Sequence, residues 1–217
     1  MLTNKAIWNK ANSLMGNNLL WHSKFSAGSL IVPPCPNLYK DFVEFLEAPY
    51  RFGSGTNAEH HWFTACPDRA QTLWGLHTMF PSNQTPRFRF YENSWYRNFQ
   101  FAHSDKIYPG LLIHTKNCIP GSPGISISEQ EDLLSEDYYR LPNPAEISFT
   151  AFMQFMLRSD LSYEHVWGNT QITPEIFLPS GHRLIVGVGD LGVEGILTVN
   201  ATVEGGCLGT PIFGVVV

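Results

Sequence analysis

Residues 146–158 read Glu-Ile-Ser-Phe-Thr-Ala-Phe-Met-Gln-Phe-Met-Leu-Arg, and Ile147, Phe149, Ala151, Met153, Phe155 and Leu157 alternate there with a mostly more polar set. Successive side chains of a strand point to opposite faces, so the run predicts a long β-strand with one buried side. The same period of two returns at Leu197, Val199, Ala201 and Val203, set against Thr198, Asn200, Thr202 and Glu204. Shorter strands are expected at Leu30–Val32, His60–Thr64, Thr72–Phe80, Arg87–Tyr91, Asn98–Ala102, Leu111–Thr115, Ile176–Leu178 and His182–Val188. That makes about ten strands in all. Turn signals separate them, among them Phe52-Gly53-Ser54-Gly55, Pro81-Ser82-Asn83, Tyr108-Pro109-Gly110 and Leu178-Pro179-Ser180-Gly181.

Helices are expected only at the periphery. Tyr39–Leu46 suits a short one, and Ser128 with Glu131 forms a capping-box signature ahead of Asp132–Tyr139. The Pro-, Gly- and acid-rich stretch 117–144 reads as a long excursion between strands, because alternation resumes on either side. These readings give one all-β domain over residues 1–217, an antiparallel β-sandwich with one or two short peripheral helices.

Composition narrows the function. The chain carries 14 Lys and Arg against 19 Asp and Glu, a net charge of −5, without a basic run, so no nucleic-acid partner is expected. No stretch of about 18 apolar residues occurs, so no membrane span is expected, and Met1–Lys10 lacks the continuous apolar stretch of a signal peptide, which places synthesis in the cytoplasm. Cys35, Cys66, Cys118 and Cys207 form no CxxC pair and read as free, mostly buried thiols.

Each chemical motif meets a plainer reading. The Gly-x-Ser-x-Gly elbow of serine hydrolases is missing. Glu59-His60-His61 is the densest set of metal-ligand types, but on a strand the two histidines point to opposite faces, so no metal is expected. Gly187-Val188-Gly189-Asp190-Leu191-Gly192 matches GxGxxG spacing without a following helix and reads as a hairpin loop, so no nucleotide cofactor is expected. On Arg87-Phe88-Arg89-Phe90 the cations share one strand face and the aromatics the other. Tyr50, Trp95 and Tyr108 at loop tips would be the stacking surfaces of a sugar-binding module. His77, His103 and Asp105 are the residues from which a hydrolase site could be assembled. No catalytic, cofactor-binding or metal-binding residue is assigned.

The strings Asn18-Leu19-Leu20, Ser23-Lys24-Phe25-Ser26-Ala27-Gly28, Pro36-Asn37-Leu38, Tyr50-Arg51-Phe52, His61-Trp62-Phe63, Gln71-Thr72-Leu73-Trp74-Gly75-Leu76-His77 and Pro86-Arg87-Phe88-Arg89-Phe90 follow one another in the first half. In layout this order resembles structural proteins of tailed bacteriophages with a galactose-binding-like, discoidin-type jelly roll. Leu178-Pro179-Ser180-Gly181 resembles the Leu-Pro-x-Gly string that opens a strand in several phage jelly-roll proteins. The resemblance implies a jelly-roll-like sandwich and a non-enzymatic virion subunit of a tail, baseplate, neck or capsid. Its partners would be copies of itself and other virion proteins, and its place the virion. A carbohydrate-binding adhesion module, with a cell-surface glycan as partner, is the alternative. The apolar segment Gly209–Val217 would make a poor exposed edge, so it is expected either to be buried within its own chain or, the preferred reading, to be covered by a neighbouring subunit.

Overall fold

Buried Trp8, Ala11 and Met15 are spaced by three and four residues, which places them on one face of a helix, α1 (Asn4–Met15). The computed structural model describes residues 4–20, 42–66, 71–89, 92, 94–117, 119–122, 125–134, 139–157, 166–172, 184–189, 196–203 and 215–216. Further helices are α2 (Phe42–Glu47), α3 (Asn57–His60), α4 (Leu73–Met79), α5 (Gln100–Ser104), α6 (Ile127–Leu134) and α7 (Pro144–Leu157). The strands are β1 (Leu19–Leu20), β2 (His61–Ala65), β3 (Gln71–Thr72), β4 (Arg87–Phe88), β5 (Lys106–Ile107), β6 (Leu111–Thr115), β7 (Tyr139–Arg140), β8 (Val166–Ile172), β9 (Leu184–Gly189), β10 (Ile196–Val203) and β11 (Val215–Val216).

The architecture is therefore mixed α/β, and the all-β, jelly-roll-like sandwich with one or two peripheral helices is overturned. One sheet runs β1-β2-β6-β11-β7, a second runs β4-β10-β9-β8, and β3 pairs with β5. The first sheet is covered on both faces. Phe63 and Ile113 face Trp8, Ala11, Met15, Val43 and Leu46 of α1 and α2. Trp62 and Leu112 face the opposite way, into the cluster that holds α4, α7 and the β10 residues Leu197 and Val199. Helix α7 thus lies between the two sheets. A strand with both faces covered is apolar along its length, and β2 is buried at each of its five positions.

This position explains the largest correction. The predicted strand over 146–158 is helix α7, buried without a break from Pro144 to Gln154. A helix buried all round has no polar face, so the 3.6-residue period fades and chance alternation takes its place. The start of the helix is nevertheless written in sequence. Asn143 caps it, accepting from the Glu146 N–H at 3.0 Å, while Glu146 Oε2 accepts from the Asn143 N–H at 2.9 Å. Pro144 fills the first turn, where its missing N–H costs nothing.

Thr72–Phe80 also turns out helical. Thr72 caps α4 by accepting from the Gly75 N–H at 3.0 Å, and Leu73, Leu76, His77 and Phe80 form its buried face. Asn98–Ala102 falls on a 3₁₀ turn (Trp95–Asn98) and α5. The strands expected at His60–Thr64, Leu111–Thr115, His182–Val188 and Ile196–Glu204 correspond to β2, β6, β9 and β10. Tyr39–Leu46 overlaps α2. The capping box ahead of α6 is Ser126 with Glu129, two residues before the pair chosen from sequence. Within the stretch read as an excursion, β7 is a strand of the first sheet. Leu30–Val32 and Ile176–Leu178 lie outside the described residues. Among the described residues no helix is long and apolar enough to cross a membrane.

Candidate functional site

The first sheet brings together groups that stand far apart in sequence. His61 opens β2, and its Nδ1–H donates to the Asn57 carbonyl at 2.7 Å while Nε2 accepts from the Tyr139 hydroxyl at 2.9 Å. Both ring nitrogens are thereby matched to a neutral imidazole, and His61 is fully buried. Burial and the neighbouring His60 and Lys116 charges, offset by the Asn57 bond, bring its pKa down to about 4. Tyr50 sits edge-on to the ring at 5.6 Å and Phe45 at 5.5 Å.

On the other face of the same sheet stand Trp62, His114 and Arg140, with Val215 at the register position between His114 and Arg140. His114 Nδ1–H donates to the Thr115 carbonyl at 3.2 Å, and Nε2 is buried with no hydrogen-bond partner among the described residues. Burial lowers this pKa to about 3. Arg140 reaches α7 and makes a two-pronged ion pair with Glu146, Nη1 to Oε2 at 2.8 Å and Nη2 to Oε1 at 2.5 Å. Cys66, at the end of β2, has its thiol pushed up to about 12 by burial, which leaves no thiolate at neutral pH for nucleophilic work.

A second cluster lies around α4. His77 stacks on Trp74 at 4.6 Å and on Phe88 at 5.3 Å, and its Nδ1 accepts from the Tyr96 hydroxyl at 2.8 Å. Burial raises the Tyr96 pKa, partly offset by a hydrogen bond from Ser94. His103 lies 6.0 Å from Trp74, and its Nε2–H donates to the Arg97 carbonyl at 2.7 Å. The structure thus gathers His77 and His103 around one indole, but directs them to Tyr96 and to a backbone carbonyl, while Asp105 Oδ1 accepts from Ser104. That is not the nucleophile, base and orienting acid of a hydrolase.

The remaining sequence candidates separate as well. Glu59 caps α3 by accepting from the Thr56 N–H at 2.9 Å, and His60 stacks on Tyr50 at 4.3 Å. The three side chains make different hydrogen bonds, Glu59 with the Thr56 N–H, His60 with the Ser54 carbonyl and His61 with Asn57 and Tyr139, although both histidine rings contact Tyr50. Gly187 and Gly189 lie within β9 opposite Asn200 and Thr198, so the first half of the GxGxxG string is strand. Of the expected loop-tip aromatics, Tyr50 is buried, whereas Trp95 is 36% and Tyr108 69% exposed. Trp95 is anchored by its indole N–H, which donates to the Val199 carbonyl at 2.8 Å.

Sequence reading missed Tyr139, Arg140 and Glu146, which fell in the stretches taken as excursion and strand. The signal that could have found Glu146 is the Asn143-Pro144-Ala145-Glu146 helix start. Nothing local marks Tyr139, whose partner is 78 positions away.

Two expected outcomes follow from this geometry. Changing Tyr139 to Phe leaves buried His61 Nε2 without its donor, and should lower stability by about 1–3 kcal/mol in urea unfolding with an unchanged denaturant slope. A variant as stable as the parent would mean that His61 does not depend on that bond. Buried His61 and His114 also set an acid limit. Their folded pKa values lie below the unfolded value of about 6.5, so the unfolded chain binds protons first. Their contribution is full above about pH 6.5 and is lost as pH falls toward 4 and then 3. Urea midpoints at about pH 7.5 and about pH 4.5 should therefore differ, the acid value being lower.

No family model, curated protein or solved structure matches this chain.

Proposed function

We propose that this chain is a structural subunit that works by contact, without catalysis, assembling with copies of itself and with other proteins of a larger particle. A tailed-phage virion is the setting suggested by the sequence strings; the jelly-roll part of that resemblance is overturned and lends it no support. The supporting observation is how the chemically capable groups are used. His61, His77, His103 and the Arg140–Glu146 pair are tied into hydrogen bonds that hold elements together, and burial keeps the Cys66 thiol protonated. The first sheet also incorporates Val215–Val216, a strand from a distant part of the chain, between β6 and β7.

The test is the solution mass of the purified chain by light scattering over a wide concentration range. A defined oligomer of fixed stoichiometry is the expected result. A monomer throughout that also fails to co-purify with any particle component would sink the reading.

A carbohydrate-binding module is the second reading, favoured by the exposure of Tyr108 and by the Trp95 ring held in place through its N–H. It requires that binding on a glycan array be lost in both Trp95→Ala and Tyr108→Ala. Retention in either variant, or no binding by the parent chain, removes it.

A further inference from the structure

The sequence leads one to expect that a neighbour covers the apolar segment 209–217, whereas Val215–Val216 is found within the first sheet as β11. β11 is interior: Val215 pairs with His114 on one side and Arg140 on the other, and Val216 with Ile113 and Tyr139, all antiparallel. Take β11 away and β6 and β7 become two facing edges separated by about two strand spacings, on the order of 9.5 Å, too far for direct pairing. A strand must therefore occupy this gap for β7, with Tyr139 and Arg140, to belong to the sheet at all.

The occupant arrives from elsewhere. β10 ends at Val203 in the other sheet, and eleven residues, 204–214, precede β11. Such a length can span at most about 36–40 Å. That reach covers a gap in the same molecule or in one packed beside it. Among the described residues, β11 pairs through Val215 and Val216 on each side. Ile212, Phe213 and Val217 flank the pairing residues with apolar side chains, which makes a withdrawn, unpaired segment costly.

We propose that the gap between β6 and β7 is a strand-exchange site whose occupant, in the assembled state, is Val215–Val216 of a second copy of this chain. The second copy fits because the register and the neighbouring side chains are those the chain already satisfies within itself. Exchange therefore keeps every ladder contact, and two copies that swap segments form a closed, two-fold pair with no loose apolar strand. This rests on the structural-subunit reading and names its contact.

The test is a disulfide trap in full-length chains. Residues paired across antiparallel strands have Cα atoms about 4.5–5.5 Å apart, within reach of a disulfide. With Cys35, Cys118 and Cys207 changed to Ser, one chain carries Ile113→Cys and a second, differently tagged, carries Val216→Cys. The two are co-expressed and then oxidised. Exchange predicts a covalent product containing both tags. If the singles give none, while a chain carrying both substitutions closes a disulfide within itself, exchange is excluded. In that event an oligomer seen by light scattering leaves the structural-subunit reading standing, whereas a monomer that also co-purifies with no particle component removes both.

A parallel measurement uses the unaltered chain, so it does not depend on the variants folding. A synthetic peptide of residues 210–217, with added lysines for solubility, competes for the gap. Exchange predicts that native mass spectrometry shows the oligomer converting to chains that carry one peptide. An oligomer that keeps its mass and binds no peptide at saturating concentration overturns the proposal.

Discussion

Replacing Phe152 with Ala is expected to destabilise the protein by about 3–5 kcal/mol, read as a fall in the urea midpoint at constant slope. Phe152 is fully buried near the middle of α7, with its ring 4.4 Å from Phe80 and 4.9 Å, edge-on, from Phe88. It therefore joins α7 to α4 and to the sheet that contains β4. Removing the ring leaves a cavity between rigid neighbours that cannot close around it. The prediction separates helix from strand directly. In a strand over 146–158 the buried set would be Ile147, Phe149, Ala151, Met153 and Phe155, which places Phe152 on the opposite face. Leu157, 40% exposed at the helix end, is the control, and its change to Ala should stay within about 1 kcal/mol. Equal, small effects at both positions would contradict the buried helix.

Changing Arg140 to Met should cost about 3 kcal/mol, and most of that loss should return when Glu146 is changed to Leu in the same chain. The reason is an asymmetry of exposure. The Arg140 side chain is 38% exposed, whereas Glu146 is 3% exposed, so removing the cation leaves a carboxylate in the interior with its main counter-charge gone. Burying both as apolar groups avoids that penalty. Recovery will be incomplete, because Glu146 also accepts from the Asn143 N–H and closes the capping box of α7, a contribution of about 1 kcal/mol. Urea unfolding of the two singles and the double variant gives the coupling energy. Additive losses, with the double variant the least stable of the three, would falsify this account of the pair.

Where the sequence was legible, it was so because one face of an element differs from the other. Leu197 and Val199 are buried while Ile196 and Thr198 are half-exposed, and the alternation that predicts β10 is this contrast. α4 carried an equally clear signal in Leu73, Leu76, His77 and Phe80, but its threonine cap preceded a run that also fits a strand. The candidate clusters were less legible. Histidines, tyrosines and an arginine can be picked out by type, yet the partners they choose are 19 positions apart for His77 with Tyr96 and 78 for His61 with Tyr139.

What the sequence determined by itself is therefore local: the stretches that became β2, β6, β9 and β10, the short helix overlapping α2, and the turns at 52–55, 81–83 and 108–110. Each is recorded in a contrast between neighbours a few residues apart, or in a residue that only a turn or cap tolerates. Tertiary structure alone decided that the helix opened by Asn143-Pro144-Ala145-Glu146 runs on, buried between two sheets, to Leu157, that Tyr139 and Arg140 join the first sheet, and that Val215–Val216 fills the gap beside them. An element covered on every side has no exposed face for a period to mark. A two-residue strand has no pattern of its own, and its place is set by the edges of β6 and β7 that it satisfies.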